Sequence, residues 1–297
     1  MSVKILLTGK NGQVGFELQR ALAPLGEIVA VDMAECDLCD VAAIRALVRG
    51  VAPQVIVNPA AYTAVDKAEA DQVTAHAVNA VAPGVFGEEA RKLGALVVHY
   101  STDYVFDGMK QGVYTEDDVP NPQSVYGKTK LAGENALRDS GADCLIFRTS
   151  WVFGAHGGNF AKTMLRLAAE RESLNVVADQ YGAPTSAALL ADVTAQALGI
   201  YLRQGRTDFP FGLYHLVAGG VTTWHAYAQA VVAAAIAAGK PVKIRPEAIT
   251  PIPASAYPLP APRPANSRLD TSRLQKAFGL RLPPWEEGLQ HVLQQIL

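Results

Sequence analysis

The chain has 297 residues, with 26 Lys and Arg against 28 Asp and Glu, for a formal net charge of -2. That balance gives no whole-chain electrostatic reason to expect a nucleic-acid or anionic-membrane partner. Hydrophobic residues make up 49% and charged residues 18% of the chain, which excludes a disordered polymer, and 25 Gly with 18 Pro exclude collagen-like and low-complexity classes.

The first half alternates short β-branched runs with helical patterns. Strands are predicted at 3–8, 28–32, 55–58, 95–101 and 144–148. Helices are predicted at 13–23, 41–50, 65–93 and 125–139, the third broken at Pro83. Continuous apolar strands separated by helices indicate a parallel sheet covered on both faces. Right-handed crossovers make it doubly wound, an α/β Rossmann-like fold. After Thr149 the pattern loosens. Helices are expected at 159–170, 187–201 and 222–238, with strands at 174–177 and 213–217. Eight of the 18 prolines then fall within 241–264, a segment read as an extended surface connector. Short helices near 271–278 and 285–293 follow. The expected division is a dinucleotide-binding part, 1–149, to which later segments return, and a smaller, interrupted substrate-binding part, 150–297.

Three cysteines make no disulfide framework, and Cys36-x-x-Cys39 supplies only half of a structural zinc's ligands. They read as reduced thiols of a cytoplasmic protein. The N-terminus shows no leader pattern, and no stretch is long and apolar enough to span a bilayer.

The first strand ends in Thr8-Gly9-Lys10-Asn11-Gly12-Gln13-Val14-Gly15 and runs into a helix. Glycines 9, 12 and 15 allow a tight turn, close approach of backbone to a pyrophosphate, and tight helix–strand packing. The free amides of the helix N-terminus favour an anion. Gly127-Lys128-Thr129 resembles the end of a P-loop, but Pro122 stands where its first glycine belongs. Asp32 ends the second strand, where an acidic residue meets an adenosine ribose, which favours NAD. Lys10 could instead attract a 2′-phosphate. The cofactor is therefore read as NADPH or NADH.

Of ten tyrosines only Tyr126 has a lysine four residues on, Lys130. Positions i and i+4 share a helix face. A nearby ammonium is expected to stabilise phenolate and lower the phenol's pKa, preparing Tyr126 to protonate an alkoxide. One strand earlier, Ser101-Thr102-Asp103 occupies a carboxyl strand end, where ligands of doubly wound sheets bind. A solvated helix face and an ordinary turn are the alternative readings of these two segments.

Together these residues resemble the extended short-chain dehydrogenase/reductase family. GKNGQVGFEL, NPAAYTAVDKAE, HYSTDYVF, VYGKTKLAGE, FRTSWVFG, GNFAKTML, DQYGAPTS and RPANSRLD, in order from residue 9 to 270, resemble its dTDP-4-dehydrorhamnose reductases. The resemblance implies NAD(P)H-dependent reduction of the C4 ketone of a dTDP-sugar. It implies that Gly12, Gln13 and Val14 contact the pyrophosphate and that Asp32, Asp37 and Leu38 lie by the adenosine. Ala61, Tyr62 and Thr63 would line the nicotinamide side. Thr102 and Tyr126 would bracket the reacting carbonyl, Lys130 would hold the nicotinamide ribose, and Asp103 and Trp151 would meet the sugar. Arg263 is a candidate for the nucleotide diphosphate, from charge and position. Without the resemblance Trp151 reads as core and Arg263 as surface.

Some relatives are described as Mg²⁺-bridged dimers. Glu17 matches one carboxylate of such a bridge, but Ala188 stands where a second is expected. An alanine cannot ligate a hard cation, so no metal is expected, although a homodimer remains open. Two rivals also remain. A nucleotide-sugar dehydratase or epimerase would share the fold, but dehydratases pair Asp with Glu after the strand-end Thr, and here Tyr104 follows Asp103. A non-catalytic regulatory subunit like that of methionine adenosyltransferase would need neither Tyr126 nor Lys130.

Overall fold

The computed structural model describes residues 3–297. Strands β1 (Lys4–Leu7), β2 (Glu27–Ala30), β3 (Val55–Asn58), β4 (Leu96–Thr102) and β5 (Cys144–Thr149) build most of one parallel sheet. The connecting helices are α1 (Gln13–Leu22), α2 (Val41–Val51), α3 (Val65–Ala68), α4 (Gln72–His76), α5 (Ala82–Leu93) and α6 (Val125–Asp139). Then come β6 (Val152–Phe153), α7 (Phe160–Glu170), β7 (Leu174–Val177), β8 (Tyr181–Gly182), β9 (Thr185–Ser186) and α8 (Ala187–Gln204). Strand β10 (Gly212–His215) returns to pair with β5, giving the order β10-β5-β4-β3-β1-β2. The chain continues through β11 (Thr222–Thr223), α9 (Trp224–Ala237), β12 (Ile249–Ile252), α10 (Ser272–Phe278) and α11 (Trp285–Ile296).

Both faces of the sheet are apolar because alternate residues of each strand point to opposite sides. Ile5, Leu7, Val55, Val57, Leu96 and Val98 face Leu18 and Leu22 of α1, Leu190 and Leu198 of α8, and Leu274 and Phe278 of α10. Leu6, Ile56, Val97 and Ile146 face Ile44 and Val48 of α2, Phe86 and Ala90 of α5, and Leu137 of α6. A further core joins Met164 of α7, Val231 and Val232 of α9, and Leu289 and Val292 of α11.

Two expectations change. The helical stretch 65–93 breaks at residues 69–71 rather than at Pro83. A π turn, Ala77–Val81, carries α4 into α5 and widens the helix just where the Pro83 ring would crowd the carbonyl of Asn79. Part of the proline-rich connector is β12, paired in parallel with β7. Pro251 is tolerated there because the two strands form a sheet with only edges. Among the described residues no helix is long and apolar enough to cross a membrane.

Candidate active site

The strands β1, β2 and β3 point their carboxyl ends at a cavity of about 420 Å³. Gly9, Asp32, Asp37, Leu38, Ala61 and Tyr62 all line it. Lys10, Gly12, Gln13, Val14, Gly15 and Thr63 stand beside it without forming its wall. The turn depends on glycine in two ways. Gly9 has φ of 60°, and a Cβ on Gly15 would stand 1.9 Å from the Gly9 carbonyl oxygen. Gly12 caps α1 without a side-chain bond, so the first helical amides stay open for an anion. A dinucleotide therefore fits this end of the sheet. Gln13 reaches across to the second half of the chain, where its Oε1 accepts from Asn159 Nδ2 at 3.0 Å.

Lys10 is not a free cation. Its Nζ donates to Glu35 Oε1 at 2.5 Å. Glu35 Oε2 accepts the Asp32 amide at 2.8 Å, and the Asp32 carboxylate accepts the amides of Asn11 and Met33. Nothing local in the sequence marks Glu35.

The loop carrying Ala61, Tyr62 and Thr63 is clamped by Asn79, fully buried in the π turn. Its side chain accepts the Tyr62 amide at 2.8 Å and donates to the Tyr62 carbonyl and to Thr129 Oγ1 of α6. The Tyr62 hydroxyl donates to Asp71.

A second cavity, of about 350 Å³, lies among the later segments. Trp151 and Arg263 line it together with Tyr104, Trp224 and Ser267. Trp151 holds a left-handed backbone, φ 49°, and stacks on Trp224 with centroids 3.7 Å apart. It is thus a cavity wall rather than core. Arg263 donates to Asp66 Oδ2 at 2.6 Å, so its charge is already engaged. That pair ties the proline-rich segment to α3.

Thr102, Asp103 and Lys130 are buried and Tyr126 is half-buried, and none of the four lines either cavity. Tyr126 opens α6, whose N-cap Ser124 accepts the Gly127 amide. A Cβ on Gly127 would stand 2.2 Å from the Tyr104 carbonyl oxygen, so only glycine lets the helix start this close to the strand end. Thr102 donates to Asp103 Oδ1 at 3.1 Å and accepts the Tyr104 amide at 3.2 Å. Asp103 accepts from Ser267 at 2.5 Å, and burial pushes its carboxyl up to about 6. Tyr104 meets the Tyr126 ring edge-on, 5.4 Å between centroids.

The expected effect of Lys130 on Tyr126 is reversed by its surroundings. Desolvation pushes the Tyr126 phenol up to about 12, against a smaller lowering by the Thr102 hydrogen bond. Lys130 itself is turned to His99, with Nζ 3.2 Å from Nε2. Desolvation brings the ammonium down to about 8, partly opposed by the Glu134 carboxylate. His99 is held well below the ordinary imidazole range by burial and then by the Lys130 charge. Behind it, Asn58 Nδ2 lies 3.2 Å from His99 Nδ1, and Asn58 Oδ1 accepts from Thr8 at 2.6 Å. Thr8, Asn58, His99 and Lys130 are each 1% exposed. This buried chain links the wall of the first cavity, at Thr8, to Lys130. On the other side, Asp103 accepts from Ser267 and Tyr126 meets the Tyr104 ring, and both Ser267 and Tyr104 line the second cavity. Sequence reasoning missed Asn58, Asn79 and His99, because their partners come from strands and helices distant in the chain.

The family described as RmlD substrate binding domain matches residues 3–297. The chain is 50% identical to a dTDP-4-dehydrorhamnose reductase of Salmonella typhimurium over 99% of its own length and 98% of the relative's. It belongs to the dTDP-4-dehydrorhamnose reductase family. Among solved structures, a dTDP-4-dehydrorhamnose reductase from Clostridium acetobutylicum superposes with a TM-score of 0.89 at 36% identity, covering 99% of each chain. One from Bacillus anthracis, in complex with NADP, gives 0.88 at 33% identity, covering 99% of this chain and 100% of that one. The central parallel sheet is thus that of these reductases.

Glu17, on α1, lies 3.4 Å from Arg20, which also binds Asp192 of α8 at 3.0 Å. Ala188 stands in the first turn of that helix. Among the described residues no group of three or more His, Cys, Asp or Glu is placed to hold a metal.

Proposed function

We propose that this protein is a cytoplasmic NAD(P)H-dependent reductase that converts the C4 ketone of dTDP-4-dehydro-L-rhamnose to the alcohol, giving dTDP-L-rhamnose. The observation that carries this reading is the position of the Thr102–Tyr126–Lys130 cluster, joined by hydrogen bonds and ring contact to both cavities. The 50% identity to a named reductase supports the same substrate.

The bound nicotinamide would supply a hydride to the carbonyl carbon. Thr102 offers its hydroxyl to the carbonyl oxygen, and Tyr126 delivers its proton to the alkoxide that forms. A phenol near 12 stays protonated at neutral pH, so Tyr126 is in the donor state without needing a lowered pKa. Lys130 would hold the ribose, Asn79 fixes the nicotinamide-side loop, and Gln13 and Val14 place pyrophosphate at the start of α1. Asp103, Trp151 and Arg263 would receive the sugar and diphosphate, the last by exchanging Asp66 for phosphate. Positioning supplies much of the rate enhancement.

The direct test gives the purified protein dTDP-4-keto-6-deoxyglucose, a 3,5-epimerase and NADPH. Stoichiometric loss of NADPH absorbance with formation of dTDP-L-rhamnose is expected. Turnover of sugar without net cofactor loss would instead mark an epimerase or dehydratase. No turnover, with capture of a catalytic partner, would mark a regulatory subunit.

Glu17 is paired with Arg20, and Ala188 offers only a methyl where the second carboxylate of a metal bridge is expected. Treatment with EDTA is expected to leave both activity and sedimentation unchanged. Dissociation or inactivation reversed by Mg²⁺ would refute this.

A further inference from the structure

We propose that His99 is a positioning residue for Lys130: its imidazole accepts one N–H of the ammonium and keeps the other two for the cofactor ribose. The inference deepens the reductase reading and rests on Lys130 as the residue that holds that ribose.

Among the described residues His99 is the hydrogen-bond partner of the Lys130 ammonium, with Nε2 3.2 Å from Nζ. An ammonium has three N–H donors and no acceptor. Nε2 must therefore be the unprotonated nitrogen, so Nδ1 carries the ring proton and needs an acceptor. Asn58 stands there. It is the register partner of His99 across β3 and β4, and its side-chain amide is 3.2 Å from Nδ1. An amide offers a donor at one end and an acceptor at the other, and the hydroxyl of Thr8 beyond it can give or take. The chain therefore closes in two senses. With Lys130 charged, donation runs from Lys130 through His99 and Asn58 to Thr8. With Lys130 neutral it runs the other way, from Thr8 to Asn58 Oδ1, from Asn58 Nδ2 to His99, and from His99 to the free amine. Every hydrogen bond is kept in either sense, so a lysine with 1% exposure can change charge where it stands. Asn58 has no titratable proton to hand on, so the chain orients and tunes the lysine rather than carrying protons away.

The surroundings keep His99 fit to accept. Burial, and then the Lys130 charge, hold it well below the ordinary imidazole range, so the ring is neutral. Other charges near the pair are mostly engaged elsewhere. On α6, Glu134 raises Lys130 but is bound by Arg148 of β5 and Ser101 of β4. Tyr126 stays protonated to about 12. Asp103, after β4, is bound by Ser267 and Thr102. The π turn and β3 carry no ionisable residue. On α3, Asp66 pairs with Arg263, and Lys67 lines the first cavity. His76 ends α4, Arg91 and Lys92 lie in the last turn of α5, and Glu88 and Glu89 of α5 pair with Arg45 and Arg49 of α2.

The test reads the Lys130 pKa directly, by NMR of the full chain isotopically labelled at lysine Cε, with Lys130→Arg supplying the assignment. The pH profile of kcat/KM for NADPH is recorded beside it. Wild type is expected to titrate near 8. His99→Leu removes the acceptor, and Lys130 is then expected to titrate about one pH unit lower, the scale of one hydrogen bond to a charged group. The falling limb of kcat/KM should move with it. His99→Gln returns an amide oxygen within reach of Nζ and should restore both values close to those of wild type. An unmoved Lys130 pKa in His99→Leu, or a Gln variant displaced as far as the Leu variant, overturns the proposal, because a residue that only packs changes stability without this pattern. Should His99→Leu fail to fold, Asn58→Asp decides. A carboxylate there fixes the Nδ1 proton, makes Nε2 the stronger acceptor and raises the Lys130 pKa, and an unmoved or lowered value refutes the proposal. A wild type whose lysine titrates as expected but which binds neither NADPH nor NADH removes the functional reading and leaves the His99 contact standing, a distinct outcome.

Discussion

Replacing Tyr126 by Phe is expected to lower turnover by about 10²–10⁴-fold while leaving the dissociation constant of NADPH close to that of wild type. The substitution removes one hydroxyl and keeps the ring, so the edge-on contact with Tyr104 survives. What goes is the proton for the alkoxide. Single-turnover kinetics with a cofactor titration separate the two effects, and an unimpaired Phe variant would exclude Tyr126 as the donor. The wild-type pH profile gives a second check. Lys130 is a base brought down to about 8, so it is charged below that pH and neutral above it. If the ammonium is the working form, kcat/KM for NADPH declines as pH rises through about 8. Tyr126 contributes no loss there, since it stays protonated to about 12.

The second large effect is on stability. Glu134 and Arg148 form a bidentate pair, 2.9 and 2.7 Å, with side chains 0% and 2% exposed. Ser101 donates to the same carboxylate, and the guanidinium lies 5.0 Å from the centre of the Phe106 ring. Arg148→Met would leave a carboxylate buried without its cation, which costs about 3–5 kcal/mol. Chemical denaturation of the variant should show a loss of that size. The double variant Glu134→Leu with Arg148→Met should recover most of it, because an apolar pair has no charge to desolvate. A single-variant loss below about 1 kcal/mol would show that the pair is not stabilised as its burial implies.

The strands were readable because a parallel sheet covered on both faces needs unbroken apolar runs, as in Ile5-Leu6-Leu7 and Val55-Ile56-Val57. The glycine turn and the spacing of Tyr126 and Lys130 are likewise local patterns. Pro83 misled because one π turn, invisible in the composition, absorbs it. The pKa of Tyr126 was misjudged because spacing shows the neighbour but not where its ammonium points or how little water reaches it. Glu35, Asn79 and His99 act through partners that only the folded chain supplies. Trp151 was legible through resemblance alone, since an aromatic after a strand gives no sign of a left-handed backbone or of a stacking partner at residue 224.

The return of the chain to its own beginning has a consequence for biosynthesis. As the polypeptide leaves the ribosome, Ile5, Leu7, Val55, Val57, Leu96 and Val98 all emerge before residues 187–204, which cover them together with α1. The last strand of the sheet, Gly212–His215, arrives later still. An unfinished chain therefore carries an uncovered oily surface and an open strand edge, features that favour aggregation and recruit chaperones. The nascent protein can shield itself only once α8, and after it β10 and α10, have followed the first five strands.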